Sequence, residues 1–352
     1  MVGNIRLSNF RYKLPKTAIA KYPADPRNAS RMMVLNRKTG EIQNKKFVDI
    51  ISLFQRGDVI VLNETKVFPA KIYGIKEKTN AEIEVLMIRK LPTEEANLWD
   101  AIVEPARKVR EGNRVFCDGN NFYFEVIGNT TSRGRIIKLS YKGDLHNIIE
   151  RKGKMAIPEY LDRAPENLDK IAYQTEFAND AFLNSIAPPT AGLHFTSDML
   201  KQLEKKGVKI AKINLTLGQT VFEKISTEDL GKHNMHHEYY EIPIAAAETI
   251  NKALKANKNI CAVGCSVVRA LESSVLTTGQ LKPNKDWANK FIFSPFNFRI
   301  VTRLLTNFHP PASSSLILAA TFGDTDNVLK AYRKAIKDNY RFYCYGDAMF
   351  II

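Results

Sequence analysis

The sequence predicts an α/β main domain with a mixed sheet, carrying an inserted small antiparallel β-barrel domain. Three observations carry that reading. A chain of 352 residues exceeds what one hydrophobic core usually serves. Short strands separated by turn residues recur at spacings of roughly ten residues in the middle of the first half, as in small barrels. After them, helical and extended patterns alternate to the end. The boundaries read from these shifts are 1–69 for the first part of the main domain, 70–152 for the barrel and 153–352 for the second part.

In the first part, Ser30–Asn36 reads as a strand closed by a turn at Lys38-Thr39-Gly40. Asp58–Asn63 is a near-continuous apolar run behind Gly57, as a strand covered on both faces requires. In the insert, strands are expected at Ile83–Arg89, Trp99–Glu104, Arg114–Cys117, Phe122–Ile127 and Arg135–Tyr141. In the second part, Ser197–Lys206 sets Met199, Leu200 and Leu203 at helical spacing, with Thr196-Ser197 as cap and Gly207 as stop. Val208–Leu215 and Asn259–Gly264 read as strands, and Ser266–Ser273 as a helix. Pro243–Lys258 is a helix with its proline in the first turn, where a missing N–H does no harm. Asp324–Asp338 is another, capped by Asp324 or Thr325.

Composition narrows the function. The formal net charge of +15 favours a polyanionic partner. A chain rich in Lys, Asn and Ile reaches the same total without any binding face, so charge alone leaves both readings open. The N-terminus lacks the apolar core of a signal peptide, and no apolar run reaches the ~18 residues that span a bilayer. Cys117, Cys261, Cys265 and Cys344 form no C-x-x-C pair and no disulfide framework, so a reducing cytoplasm is the expected location. Neither a G-x-G-x-x-G turn nor a P-loop lysine is present. His233, His236 and His237 form H-x-x-H-H, which would suit a metal only if helical; no cysteine or H-E-x-x-H accompanies it, and no metal is expected.

Three stretches have the texture of a site. Ile186–Phe195 joins Pro188-Pro189, Gly192 and His194 in front of a helix start; Gly192 is expected to adopt backbone geometry closed to other residues. Thr306-Asn307-Phe308-His309-Pro310-Pro311 again sets a histidine beside prolines, and Tyr345-Gly346-Asp347 puts a carboxylate on a glycine turn. A loop histidine of this kind serves chemistry or only a buried hydrogen bond, and composition does not choose between them.

The motifs say more together. A-P-P-T-A-G-L-H-F (187–195), H-x-M-H-x-E-Y-Y (233–240), V-G-C-S-V-V-R-A-L-E-S (263–273), T-N-F-H (306–309) and Y-R-F-x-x-Y-G-D-A-M (340–349) resemble the S-adenosylmethionine:tRNA ribosyltransferase-isomerases of queuosine biosynthesis. Tyr22-Pro23, Arg27-x-x-Ser30-Arg31, Leu62–Ala70 and Tyr173-Gln174-Thr175 are also similar to that family. The resemblance implies the same α/β domain with inserted barrel. It implies transfer and isomerisation of the ribosyl part of S-adenosylmethionine onto 7-aminomethyl-7-deazaguanine at the tRNA wobble position, releasing adenine and methionine. S-adenosylmethionine is then consumed as ribosyl donor, and no cofactor is implied. Such a step needs a base for the C5′ proton, an acid for departing adenine and a water-poor pocket. On that basis His194 and His309 are expected as acid and base, with Asp347 and Glu272 as partners of the sulfonium or ribose. Arg269 would take the methionine carboxylate or a phosphate, and Thr190, Gly192, Gly218, Ser266, Asn307 and Tyr345 would complete the substrate site. Lys66, Arg107, Lys108, Arg133 and Arg135 are the expected tRNA contacts.

The chain departs from the family pattern at several points. The L-H-V-G-x-G-[TN]-F stretch is here Leu215–Phe222, with Thr216 for the histidine and Thr220 for a glycine. G-T-T becomes Gly264-Cys265-Ser266, and the segment after T-N-F-H becomes Pro310-Pro311-Ala312-Ser313-Ser314-Ser315, without its charged residue. Phe177–Ser185 is longer than usual. These changes leave open a second reading, a diverged relative that binds tRNA or S-adenosylmethionine with altered or lost turnover.

Overall fold

A computed structural model describes residues 5–91, 97–130, 133–218 and 225–352. In chain order the strands are β1 (Arg31–Leu35), β2 (Ile42–Lys46), β3 (Val59–Asn63), β4 (Lys66–Val67), β5 (Lys71–Lys76), β6 (Glu82–Lys90), β7 (Leu98–Glu104), β8 (Arg114–Phe116), β9 (Phe122–Asn129) and β10 (Gly134–Tyr141). They continue with β11 (Leu183–Ser185), β12 (Lys209–Leu215), β13 (Glu238–Ile242), β14 (Ile260–Val263), β15 (Asn284–Ala288), β16 (Arg303–Asn307) and β17 (Ala348–Ile351). The helices are α1 (Leu145–Lys152), α2 (Asp169–Ala172), α3 (Ser197–Lys205), α4 (Ile244–Lys255), α5 (Cys265–Ser273), α6 (Ser314–Gly323) and α7 (Thr325–Lys337).

Among the described residues, nine strands form one mixed sheet in the order β15-β13-β12-β3-β14-β16-β17-β1-β2. Its centre, β12-β3-β14-β16, is parallel. Alternation along each central strand divides the core in two. Ile60, Leu62, Cys261, Val263 and Leu305 face one way, onto Phe47, Phe195 and Leu203. Val59, Val61, Ile260, Ala262 and Leu304 face the other, onto apolar residues of α4, α5, α6 and α7. Both faces are therefore dry, which is why Asp58–Asn63 reads as an unbroken apolar run.

β5 to β10 close into an antiparallel barrel with its own apolar core, capped by Ile148 and Ile149 of α1. The chain leaves the main domain and returns at one point: Lys71 and Lys154 exchange backbone hydrogen bonds of 3.1 and 2.8 Å. Near the end of 177–185 the short β11 pairs in parallel with β4.

The expected elements recur with ends shifted by a few residues, and Asp324 and Thr196 cap α7 and α3 as read. Missing from the expectation are β2, β4, β5, β11, β13, β15, β16, β17, α1, α2 and α6. β2 (I-Q-N-K-K) and β15 (N-K-D-W-A) are edge strands with little apolar alternation. Only hydrogen bonding to a neighbour makes them strands. α6 is buried nearly all round and so lacks an amphipathic stripe.

Candidate active site

The C-terminal ends of β12, β3, β14 and β16 lie along one edge of the sheet, the place where open α/β sheets form ligand crevices. A cleft of about 460 Å³ sits there. Leu217 follows β12, Cys265, Ser266 and Arg269 belong to α5, and Ser314 and Ser315 open α6. Glu238, Met235, Lys290 and Phe291 complete the wall from the β13–β15 side. Gly264, at φ +100°, turns the chain from β14 into α5, so that the helix N-terminus opens at the cleft.

His309 stands behind this wall. Its Nε2 is 2.6 Å from the Thr306 hydroxyl and 3.6 Å from the Cys265 sulfur. Burial lowers the imidazole pKa to about 4, so His309 is neutral at pH 7 and able to accept a proton. Burial also pushes the Cys265 thiol up to about 11, with the Thr306 contact opposing it, so the sulfur remains a thiol. Arg269 is held by Glu238 at 2.5 Å and by the Ala288 carbonyl at 3.1 Å. Its charge is therefore paired inside the wall, and its buried Nε has no protein partner.

His194 lies elsewhere. It ends a tight turn, Thr190–His194, that follows Pro189. Its Nδ1 is 2.8 Å from the Ser30 hydroxyl and its ring packs on Phe47 with centroids 4.9 Å apart. Burial lowers its pKa to about 4; the Asn307 side chain works the other way, and Arg341 and Arg27 add to the lowering. It lines a separate pocket of about 230 Å³ with Arg27, Ser30, Arg341 and Tyr345.

The two histidines reach opposite sides of β16. Thr306 points with Leu304 toward the α4–α7 layer and holds His309. Asn307 points with Leu305 to the other layer, where His194 packs. Expected as one acid–base pair, they are divided by a strand, His194 lining the smaller pocket and His309 standing behind the cleft wall.

Other expected site residues turn out to hold backbone. Both Asp347 oxygens accept N–H groups, from Arg31 at 2.9 Å and Arg341 at 2.8 Å, clamping the starts of β1 and β17. Glu272 accepts the N–H groups of Arg299, Ile300 and Val301, each at 3.0 Å. Neither carboxylate lines the cleft, because each is spent on peptide groups that would otherwise be buried unpaired. Tyr345 donates to Asp169 at 2.8 Å, and the Asn307 carboxamide donates to the Tyr343 carbonyl at 3.0 Å. Gly192 does not occupy positive φ; a Cβ there would stand 2.7 Å from Phe177, so close approach is what requires it. Thr190 and Gly218 do not line the cleft, whereas Ser266 does.

The expected tRNA contacts divide as well. Arg107 and Lys108 are exposed on a barrel turn. Arg133 is exposed and pairs with Glu104 at 2.9 Å; Lys66 pairs with Asp180. Arg135 is a correction: it is buried, and its guanidinium donates to the carbonyls of Val109, Ala106 and Gly134. A strand-start arginine looks the same in sequence whether it points outward or into a turn. His233–His237 is not helical, and no group of three or more His, Cys, Asp or Glu among the described residues could hold a metal. Thr220 lies outside the described residues. Thr306, Glu238 and Lys290 went unassigned in the sequence; T-N-F-H was the one signal for Thr306, three residues before the histidine it holds.

An edge cleft at the strand C-termini, with a paired arginine in its wall and a neutral histidine behind it, defines an α/β enzyme with a mixed sheet and an inserted barrel. More particularly, the chain belongs to the family described as queuosine biosynthesis protein, whose family model matches residues 7–351. It is similar to the S-adenosylmethionine:tRNA ribosyltransferase-isomerase of Chloroherpeton thalassium, 46% identical over 350 residues, covering 99% of this chain and 100% of the relative. The same-named protein of Cytophaga hutchinsonii is 46% identical over 351 residues, with 99% and 100% covered. The crystal structure of S-adenosylmethionine tRNA ribosyltransferase from Thermotoga maritima matches with TM-score 0.54 at 32% identity, covering 98% of this chain and 100% of that one. No helix among the described residues is long and apolar enough to cross a membrane.

Proposed function

We propose that this protein is an S-adenosylmethionine:tRNA ribosyltransferase-isomerase. It moves and isomerises the ribosyl group of S-adenosylmethionine onto the aminomethyl nitrogen of 7-aminomethyl-7-deazaguanine in the tRNA anticodon loop. The products are epoxyqueuosine-tRNA, adenine and methionine. The observation that carries the reading is the cleft at the sheet edge, where His309, neutral and held by Thr306, stands beside the start of α5 in a chain that matches its family from end to end. At the Cys265 departure the thiol keeps a polar atom within 3.5 Å of Thr306, which supports retained function there.

In this reading His309 accepts the ribose C5′ proton, made acidic by the adjacent sulfonium. Burial leaves the imidazole unprotonated and so free to accept, though as a weaker base than a solvent-exposed histidine. Arg269 presents its free Nε toward the carboxylate of the methionine part, held in place by Glu238. His194, Ser30 and Asn307 keep the opposite wall of the sheet edge in shape, so His194 acts on position more than on protons. Arg107, Lys108, Arg133 and Lys66 form the outer contacts of the tRNA. The division at 69/70 and 152/153 belongs to the same reading, supported by the single point where Lys71 and Lys154 meet.

The test is adenine release from S-adenosylmethionine in the presence of tRNA carrying the aminomethyl base. Wild type should release adenine and form epoxyqueuosine. His309→Gln should lose at least about 100-fold in kcat, the usual contribution of one acid–base group, while still binding both substrates. Binding by wild type without adenine release would sink the activity; full activity in His309→Gln would remove that residue from the chemistry.

A further inference from the structure

The cleft wall formed by β13 and β15 has an outer face that the reaction above does not use. Register pairs Glu238 with Ala288 and Tyr239 with Trp287. Alternation then sends the two pairs to opposite faces. Glu238 lines the cleft and the Ala288 carbonyl receives Arg269. Tyr239 and Trp287 point the other way, toward the barrel. Their rings meet edge to face with centroids 5.5 Å apart.

Trp287 is 39% exposed, although indole burial is among the larger gains a side chain can make. The Arg89 guanidinium of β6 lies 5.1 Å from its ring centroid and is itself 41% exposed, with only a loose 3.7 Å contact to Asp100. A pair that served only to seal barrel against sheet would bury both groups. Lys90, beside Arg89, and Lys285, which reaches Glu241 at 3.0 Å, are exposed cations on the same two strands. The result is an open aromatic face, a half-free guanidinium and flanking lysines, one strand's thickness from the cleft.

We infer that Trp287, backed by Tyr239 and Arg89, is a stacking platform for an unpaired base of the RNA substrate next to the nucleotide held in the cleft. Aromatic faces carry unpaired bases irrespective of sequence, and a neighbouring guanidinium serves the phosphate or the base plane. The inference rests on the reading of tRNA as substrate. Its occupant is single-stranded RNA: the face is cationic at its rim, it lies on the back of the cleft wall, and a base flanking a splayed-out target is already unpaired.

The experiment compares Trp287→Ala, Trp287→Leu and Trp287→Phe with wild type, measuring affinity for a synthetic anticodon stem-loop, affinity for S-adenosylmethionine and the thermal midpoint. Trp287→Ala and Trp287→Leu should weaken stem-loop binding by about 5- to 150-fold, the range for loss of one base–aromatic stack. Trp287→Phe should retain most of it, and S-adenosylmethionine affinity and thermal midpoint should not change. Unchanged stem-loop affinity in Trp287→Leu overturns the platform while leaving the enzyme reading in place. A parallel drop in thermal midpoint and S-adenosylmethionine affinity makes Trp287 structural and also overturns it. Failure of wild type to bind the stem-loop at all removes the tRNA reading itself.

Discussion

His194 illustrates how one side chain looks catalytic in a sequence and structural in a fold. A histidine between Pro-Pro, Gly and a helix start has the setting of an acid–base group. Here it is sealed on Phe47 and hydrogen-bonded to Ser30. Burial holds its folded pKa at about 4, against 6.5 for the free side chain. The unfolded chain therefore binds the proton more readily between these values, and stability falls as pH drops from 6.5 toward 4. Above 6.5 both states are neutral and the contribution is complete. Denaturant unfolding of His194→Gln should lose less stability over that window than wild type, by up to about 3 kcal/mol. Parallel stability–pH curves for the two proteins would show that His194 titrates alike in both states. His309 has a similar pKa for the same reason, yet its partners are the cleft residue Cys265 and the buried Thr306 behind it. Only the neighbours separate the two roles.

At the scale of elements, the turn from β14 into α5 sets the geometry of the cleft. Gly264 sits at φ +100°, and a Cβ there would meet nothing closer than the Ser266 hydroxyl at 3.6 Å. The cost of a side chain is thus backbone strain rather than a clash. Gly264→Ala should destabilise the protein by about 1–3 kcal/mol and tilt the α5 start away from Thr306 and His309. Unfolding measurements and adenine release should therefore fall together; unchanged values for both would mean that the turn relaxes freely. Asp347 and Glu272 belong to this scale too. The G-D-A-M and A-L-E-S motifs that hold them are legible in the chain, but only the fold shows that both carboxylates accept backbone N–H groups at strand and loop starts.

The whole molecule carries +15, and the fold decides which cations are free to use it. Arg135 is locked on three barrel carbonyls, whereas Arg107 and Lys108 stand exposed on the turn whose Ala106 and Val109 carbonyls it holds. Arg107→Glu with Lys108→Glu should weaken tRNA binding and lower the slope of log affinity against log salt by about one per cation removed. Arg135→Ala should leave that slope alone and instead destabilise the barrel by about 3 kcal/mol, because three buried carbonyls lose a charged donor. An unchanged slope in the double variant would move the tRNA path off this turn.

The sequence by itself determined the architecture and the family. The apolar run of β3 and the helix caps are local signals; the even spacing of barrel strands and the order of five long motifs need only the chain. These patterns survive because periodicity and capping act within a few residues. What only the tertiary structure decided is which side chains share a pocket. Thr306 and Asn307 are neighbours in sequence and point to opposite faces of the sheet, taking His309 and His194 with them. Arg135 and Arg133 are two residues apart, one buried and one exposed. Edge strands β2 and β15, with Trp287 among them, exist only because a neighbouring strand is there to pair. The direction of a side chain depends on register and packing across hundreds of residues, and no local pattern records it.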